Sequence, residues 1–203
     1  MQKMLSLIAV VALTFAFGAL SIARAESQAQ AEVGKAAPNF SLQDQDGKTV
    51  SLDAFKGKIV VLEWFNEGCP YVKRHYEQGN TMNTLVDKYA SKSVIWLAIN
   101  STNGKNNESN KKVFADWKLN HPILNDVDKA AAKAYGAKTT PHMFVIDKDG
   151  KLAYSGAIDN DPDGNKTEGK VNYVEKAVDE LLNGQPVSEP KTKSYGCGVK
   201  YAE

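Results

Sequence analysis

Apolar and polar residues come in blocks along this chain, and the block lengths separate strands from helices. Ile59-Val60-Val61-Leu62-Glu63-Trp64 is almost continuously apolar, as expected of a strand covered on both faces, and residues 93–99 repeat the pattern. Between them, Val72, Tyr76, Met82, Leu85, Val86 and Tyr89 fall largely at helical spacing and predict one helix over 70–90. Two pairs of short apolar runs flank acidic, glycine-containing turns: 38–42 and 49–52 around Asp44-Gln45-Asp46-Gly47, and 143–146 and 152–155 around Asp147-Lys148-Asp149-Gly150. Both read as β-hairpins. The polar run 101–110 predicts a loop leading into a helix near 111–119. Ile123-Leu124 then suggests a short strand or turn, and the Ala-rich run 129–134 a short helix. After a loop over 159–170, Val171, Val174, Val178, Leu181 and Leu182 share one face of a last helix, which Asn183-Gly184 stops. A strand–helix–strand unit followed by a hairpin and a helix is an α/β layout with a mixed central sheet flanked by helices and an N-terminal hairpin extension. One domain, 33–184, and a tail, 185–203, account for the pattern, which shows no internal repeat.

The first 25 residues do not belong to that pattern. A positive Lys3, an apolar stretch from Leu5 to Leu20 and the small-x-small run Ala23-Arg24-Ala25 form a secretory signal peptide, with cleavage expected after Ala25. The competing reading is an uncleaved anchor, because Met4 to Ile22 approaches the roughly 20 residues of a membrane span. Thr14, Gly18 and the small residues near the end favour cleavage. The expected product is periplasmic or secreted, with no stable membrane span. Its 25 basic and 24 acidic residues, two of the basic ones lost with the leader, argue against nucleic acid or anionic lipid as the main partner.

Both cysteines, Cys69 and Cys197, lie beyond the leader. An oxidising compartment makes a bond between them plausible, and two cysteines allow only one pairing. A permanent bond would close a long loop, worth up to about 5 kcal/mol by chain-entropy arguments. Cys69 sits where the first buried strand has ended, a polar turn (Asn66-Glu67-Gly68) has passed and a helix begins, with Pro70 at the first helical position. Unpartnered N–H groups and the helix dipole stabilise a thiolate there, lowering the thiol pKa. The alternative is a structural cysteine, buried as cysteines often are.

On Val60 to His75, on Ala134 to Asp147 with its Thr140-Pro141-His142, and on the tail Lys193 to Tyr201, the chain resembles the thioredoxin-fold superfamily, and within it the peroxiredoxin-like (AhpC/TSA-type redoxin) branch of exported proteins. The resemblance implies a thioredoxin-like fold. It also implies that Cys69 is the attacking cysteine, that Pro141 is the cis-proline packed against its sulfur, and that Glu63 is the buried acid that helps move protons. A carboxyl inside an apolar strand has a raised pKa and acts as a general base; a Glu63 facing water is the alternative. Departures from the pattern matter as much. Val72 replaces the second cysteine of Cys-x-x-Cys, Asn66 and Leu62 replace the peroxiredoxin Thr and Pro, and the peroxide-binding arginine is not evident beside Pro141. Cys197, between Gly196 and Gly198 in a tail able to move, offers a distant resolving thiol. Its alternatives are a static staple and an unpaired thiol.

Two function classes therefore stand. One is an exported thiol oxidoreductase or thiol peroxidase acting on a protein disulfide or a peroxide, recharged by an unidentified thiol donor and needing no cofactor. The other is a non-catalytic binding module or copper-handling protein with a structural Cys69–Cys197 bond. Lys73, Arg74 and His75 either add positive charge near Cys69 or form a solvated face. His142 could approach Cys69, and Cys69, His75 and His142 together would suit copper. Asp159-Asn160-Asp161-Pro162-Asp163-Gly164 starts like a calcium loop, but Lys170 stands where that loop needs Glu, and turn chemistry is the simpler account.

Overall fold

The computed structural model describes residues 30–201, so the expected leader, 1–25, lies outside the described residues. The first hairpin is β1 (Ser41–Gln43) with β2 (Thr49–Ser51), paired antiparallel. The central strand β3 (Ile59–Phe65) is buried at every position. It pairs in parallel with β4 (Val94–Asn100) and antiparallel with β7 (Met143–Ile146). With β5 (Ile123–Asn125) and β8 (Leu152–Gly156) these form a seven-stranded mixed sheet in the order β2-β1-β5-β4-β3-β7-β8.

The alternation of β3 divides the core. Ile59, Val61 and Phe65 face one layer, with Val72, Tyr76, Met82, Leu85 and Tyr89 from the helical segment after Cys69 and with Val174, Ala177 and Val178 from a C-terminal helix. Val60, Leu62 and Trp64 face the other, against Ala131, Ala132 and Tyr135. Each such large side chain taken from water contributes about 1.5–3 kcal/mol.

Both hairpins, both buried strands and the last helix match the sequence reading, and two helices do not. The helix expected over 70–90 is broken. α1 (Pro70–Lys73) runs into a π turn (Arg74–Gln78), and α2 (Thr81–Tyr89) starts afresh after Asn80 in the left-handed region, φ 46°. The Gly79 N–H bonds the Arg74 carbonyl, one residue wider than an α-turn, and the Gly-Asn pair lets the chain restart. α3 (Asn107–Asp116) begins four residues before the expected Lys111 because Asn106 and Ser109 form a reciprocal capping box. α4 (Ala130–Tyr135) and α5 (Tyr173–Leu182) complete the helices.

The tail, whose glycines suggested a segment able to move, is docked on the sheet in this structure. It runs along β8, where Ser155 bonds Pro190 and Thr192, and then pairs as β9 (Cys197–Gly198) antiparallel to β6 (Thr139–Thr140). Tyrosines anchor both flanks of β9. Tyr195 Oη donates to Asp159 Oδ1 at 2.5 Å and lies 3.0 Å from His75 Nε2, while Tyr201 Oη donates to the Ala132 and Ala137 carbonyls. These anchors come from sequence-distant positions, which a pattern read along the chain does not register.

Candidate active site

Strand β3 delivers Cys69 to the edge of the helical layer. Asn66 Oδ1 accepts the Gly68 N–H at 2.7 Å and the Asn66 carbonyl accepts the Cys69 N–H at 3.0 Å, which closes the turn. Cys69 is the N-cap of α1 with Pro70 behind it, as the sequence implied, and its side chain is almost fully buried. The Thr140–Pro141 bond is cis, and the Thr140 carbonyl accepts the Cys69 thiol at 2.9 Å. Val72, in the place of a second local cysteine, is wholly buried in the same apolar cluster.

The partner comes from the tail. β9 sets Cys197 opposite Thr140, within hydrogen-bonding reach of Cys69, and both are free thiols. Burial pushes the Cys69 pKa up. Hydrogen bonds from the Cys197 and Thr140 side chains and from the Val72 and Cys197 backbones outweigh it and hold the thiol below its ordinary value. Cys197 moves the other way, pushed up by burial and by the hydrogen bond and charge of Cys69. The two thiols are thus shifted in opposite directions. Val72 supplies one of the orphan N–H groups that a helix start leaves open.

Glu63 is completely buried, so the water-facing alternative does not hold. Burial raises its carboxyl to about 7, against hydrogen bonds from Tyr76 Oη at 2.7 Å and Trp96 Nε1 at 3.2 Å, both to Oε2. Oε1 has no partner. Tyr76 Oη also lies 3.0 Å from His121 Nε2, and His121 Nδ1 lies 3.1 Å from Asn120 Oδ1. Burial pushes His121 down to about 3, so its ring is neutral near pH 7. The sequence reading missed Tyr76, Trp96 and His121 as site residues. Tyr76 was legible as a core position on the helix after Cys69, but nothing in sequence spacing marks His121.

The basic run after Cys69 supplies no charge to it. His75 is buried and pushed down to about 4, chiefly by burial, and it bonds Tyr195. Arg74 turns to the Asp161 and Pro162 carbonyls and lies over Tyr71 and Tyr195. His142 is held by the Lys138 N–H and against Phe144, in the opposite core layer from Cys69. The copper trio therefore does not assemble, and among the described residues no group of three or more His, Cys, Asp or Glu could hold a metal ion. In the Asp-rich loop, Asp161 Oδ1 accepts the Asn165 and Lys166 N–H groups, and the Lys170 ammonium sits 3.0 Å from Asp161 Oδ2. Turn chemistry and a lysine occupy what a calcium ion would need.

A family model described as AhpC/TSA family matches residues 33–155. Thiol-disulfide oxidoreductase ResA of Bacillus thuringiensis subsp. konkukian is 34% identical over 121 residues, which is 60% of this chain and 67% of that protein. Among solved structures, an uncharacterized conserved protein from Geobacillus kaustophilus aligns with a TM-score of 0.74 at 31% identity, covering 84% of this chain and 93% of that one. A hypothetical protein from Sinorhizobium meliloti 1021 aligns with the same TM-score at 27% identity, covering 86% and 97%. No helix among the described residues is long and apolar enough to cross a membrane.

Proposed function

The chain belongs to the AhpC/TSA family and is a thiol-dependent oxidoreductase, and from that premise we propose that it exchanges disulfides with protein substrates through Cys69 and Cys197. The observation that carries the reading is the docked pair: β9 sets Cys197 opposite Thr140, whose carbonyl accepts the Cys69 thiol. The Cys69 thiolate attacks one sulfur of a substrate disulfide, the substrate S–S bond breaks, and the other substrate sulfur leaves as a thiolate. Cys197 then gives up its proton and attacks Cys69, which releases the second substrate thiolate and leaves a Cys69–Cys197 disulfide. A thiol donor returns both to the reduced state with two electrons and two protons. Glu63 is proposed as the proton acceptor for Cys197: its partner Tyr76 packs in the same buried cluster as Cys69, against which Cys197 also rests, and burial raises the carboxyl to about 7, matched to that task. Pro141 positions the Thr140 carbonyl against the attacking sulfur.

Disulfides are favoured over peroxides by the polar groups present. Arg74 is the one arginine among the described residues, and it is held on the Asp161 and Pro162 carbonyls. Peroxide attack thus lacks an arginine free to stabilise its leaving oxygen. The chain is further proposed to be exported by cleavage after Ala25, which N-terminal sequencing of the protein from the native host checks.

The test is reduction of a protein disulfide by wild type, Cys69→Ser and Cys197→Ser, with mass spectrometry of the products. Wild type is expected to cycle between dithiol and a Cys69–Cys197 bond, and Cys69→Ser to be inactive. An unreactive Cys69, or wild-type rates in Cys69→Ser, overturns the proposal in favour of a binding module.

A further inference from the structure

Glu63 is sealed inside the helical layer, so any proton it accepts must have a way out. The hydrogen bonds supply one continuous line: Glu63 Oε2 to Tyr76 Oη at 2.7 Å, Tyr76 Oη to His121 Nε2 at 3.0 Å, and His121 Nδ1 to Asn120 Oδ1 at 3.1 Å. The burial falls off along it. Glu63, Tyr76 and His121 are buried, whereas Asn120 is exposed and its amide nitrogen donates to the exposed Asp87 at 2.6 Å. His121, Asn120 and Trp96 also line a cavity of about 370 Å³ open to solvent between α2 and the first hairpin.

With Glu63 protonated, donors and acceptors agree along the whole line; with Glu63 ionised, the Tyr76 hydroxyl donates to Oε2 instead. Asn120 offers His121 an acceptor, because its amide nitrogen is committed to Asp87 and the Asn83 carbonyl. That places the imidazole proton on Nδ1 and the lone pair on Nε2, where it accepts from Tyr76. Tyr76 then accepts from a protonated Glu63. The Tyr76 and His121 rings stack with centroids 6.0 Å apart, which fixes the alignment.

We propose that Tyr76 and His121 relay the Glu63 proton to solvent, as positioning residues for the carboxyl rather than groups that touch the reacting sulfurs. This rests on the reading of Glu63 as the acceptor for Cys197. After Cys197 has passed its proton to Glu63, the carboxyl proton moves to the Tyr76 oxygen as the phenolic proton moves to His121 Nε2. The Nδ1 proton leaves to solvent at the cavity, and the line resets when His121 exchanges its Nε2 proton for one on Nδ1 and the Tyr76 hydroxyl turns back from Glu63 to Nε2. One proton enters at Glu63 and one leaves at His121, with no change of oxidation state.

The experiment is stopped-flow reaction of the reduced protein with 5,5′-dithiobis(2-nitrobenzoate), which releases one coloured thiolate when Cys69 attacks and a second when Cys197 resolves. Tyr76→Phe and His121→Gln are expected to leave the first phase unchanged and to slow the second by at least about tenfold. A directly acting acid or base contributes roughly 10²–10⁴-fold. His121→Ala is expected to recover its second phase with added imidazole, and not with pyrazole, which has similar size but is a far weaker base. A wild-type second phase in Tyr76→Phe and His121→Gln overturns the relay, as does equal recovery with both azoles, which would report packing alone. Glu63→Gln separates the two levels. If it resolves at the wild-type rate, the Glu63 reading itself fails; if only Glu63→Gln is slow, the relay fails and the acceptor stands.

Discussion

Gly196 is the residue on which access to Cys69 turns. Its φ is +134°, a conformation that L side chains rarely adopt, and a Cβ there would meet the Thr140 carbonyl oxygen at 2.1 Å and its carbon at 2.7 Å. Both atoms are backbone, so neither yields, and Gly196→Ala must lift β9 from β6. The displaced segment loses its pairing to Thr139 and Thr140 and the Val199 N–H bond to the Lys138 carbonyl at 3.0 Å. At about 1 kcal/mol per hydrogen bond, plus about 1 kcal/mol of backbone strain, docking weakens by roughly 2–4 kcal/mol. That is a population change of about 30- to 1000-fold. Cys69 is almost fully buried while the tail is docked, so its alkylation follows the open fraction. In a Cys197→Ser background, where one thiol remains, Gly196→Ala should raise the rate of Cys69 alkylation by iodoacetamide at least tenfold, up to the limit set by the fully open state. Gly198→Ala is the matched control, because a Cβ there meets nothing within 4 Å. Equal alkylation rates in the two variants would refute the reasoning and locate the barrier to Cys69 elsewhere than the tail.

Three further outcomes are expected. The folded Glu63 carboxyl titrates at about 7 against an ordinary 4.5, so the native state binds more protons than the unfolded chain between those values. Stability attributable to this group is therefore full below pH 4.5 and falls as pH rises to about 7, by roughly 3 kcal/mol. Glu63→Gln should flatten that part of the curve of denaturant midpoint against pH, and an unchanged slope would contradict the burial argument. Cys197→Ser should trap a Cys69 mixed disulfide with substrate, seen as an adduct by intact-mass spectrometry, whereas Cys69→Ser should give none; equal trapping in both would reverse the roles. Tyr195→Phe removes the hydroxyl bonded to Asp159 and His75 and should weaken tail docking by about 1–3 kcal/mol. It would be read as faster Cys69 alkylation, and an unaltered rate would exclude this anchor.

Much of this molecule follows from residues read in order. The continuous apolar runs of β3 and β4, the acidic turns of the two hairpins and the Cys69-Pro70 helix start are local, because strand burial, turn geometry and capping depend on neighbours within a few positions. The cis bond at Pro141 was implied by the resemblance to the thioredoxin fold, and the structure has it. The break at Gly79-Asn80 and the early start of α3 at the Asn106–Ser109 box were also written locally, in residues that the helical periodicity alone overlooks. Tertiary structure decided what surrounds the sulfur. The β9–β6 pairing brings Cys197 from the far end of the chain to Cys69, and packing puts Glu63 of β3, Tyr76 of the π turn and His121 of the loop before β5 into one hydrogen-bonded line. The same packing turned His75, Arg74 and His142 away from Cys69. Sequence spacing records which side chains share a face of one element; which faces meet is set by how the elements close over a common core.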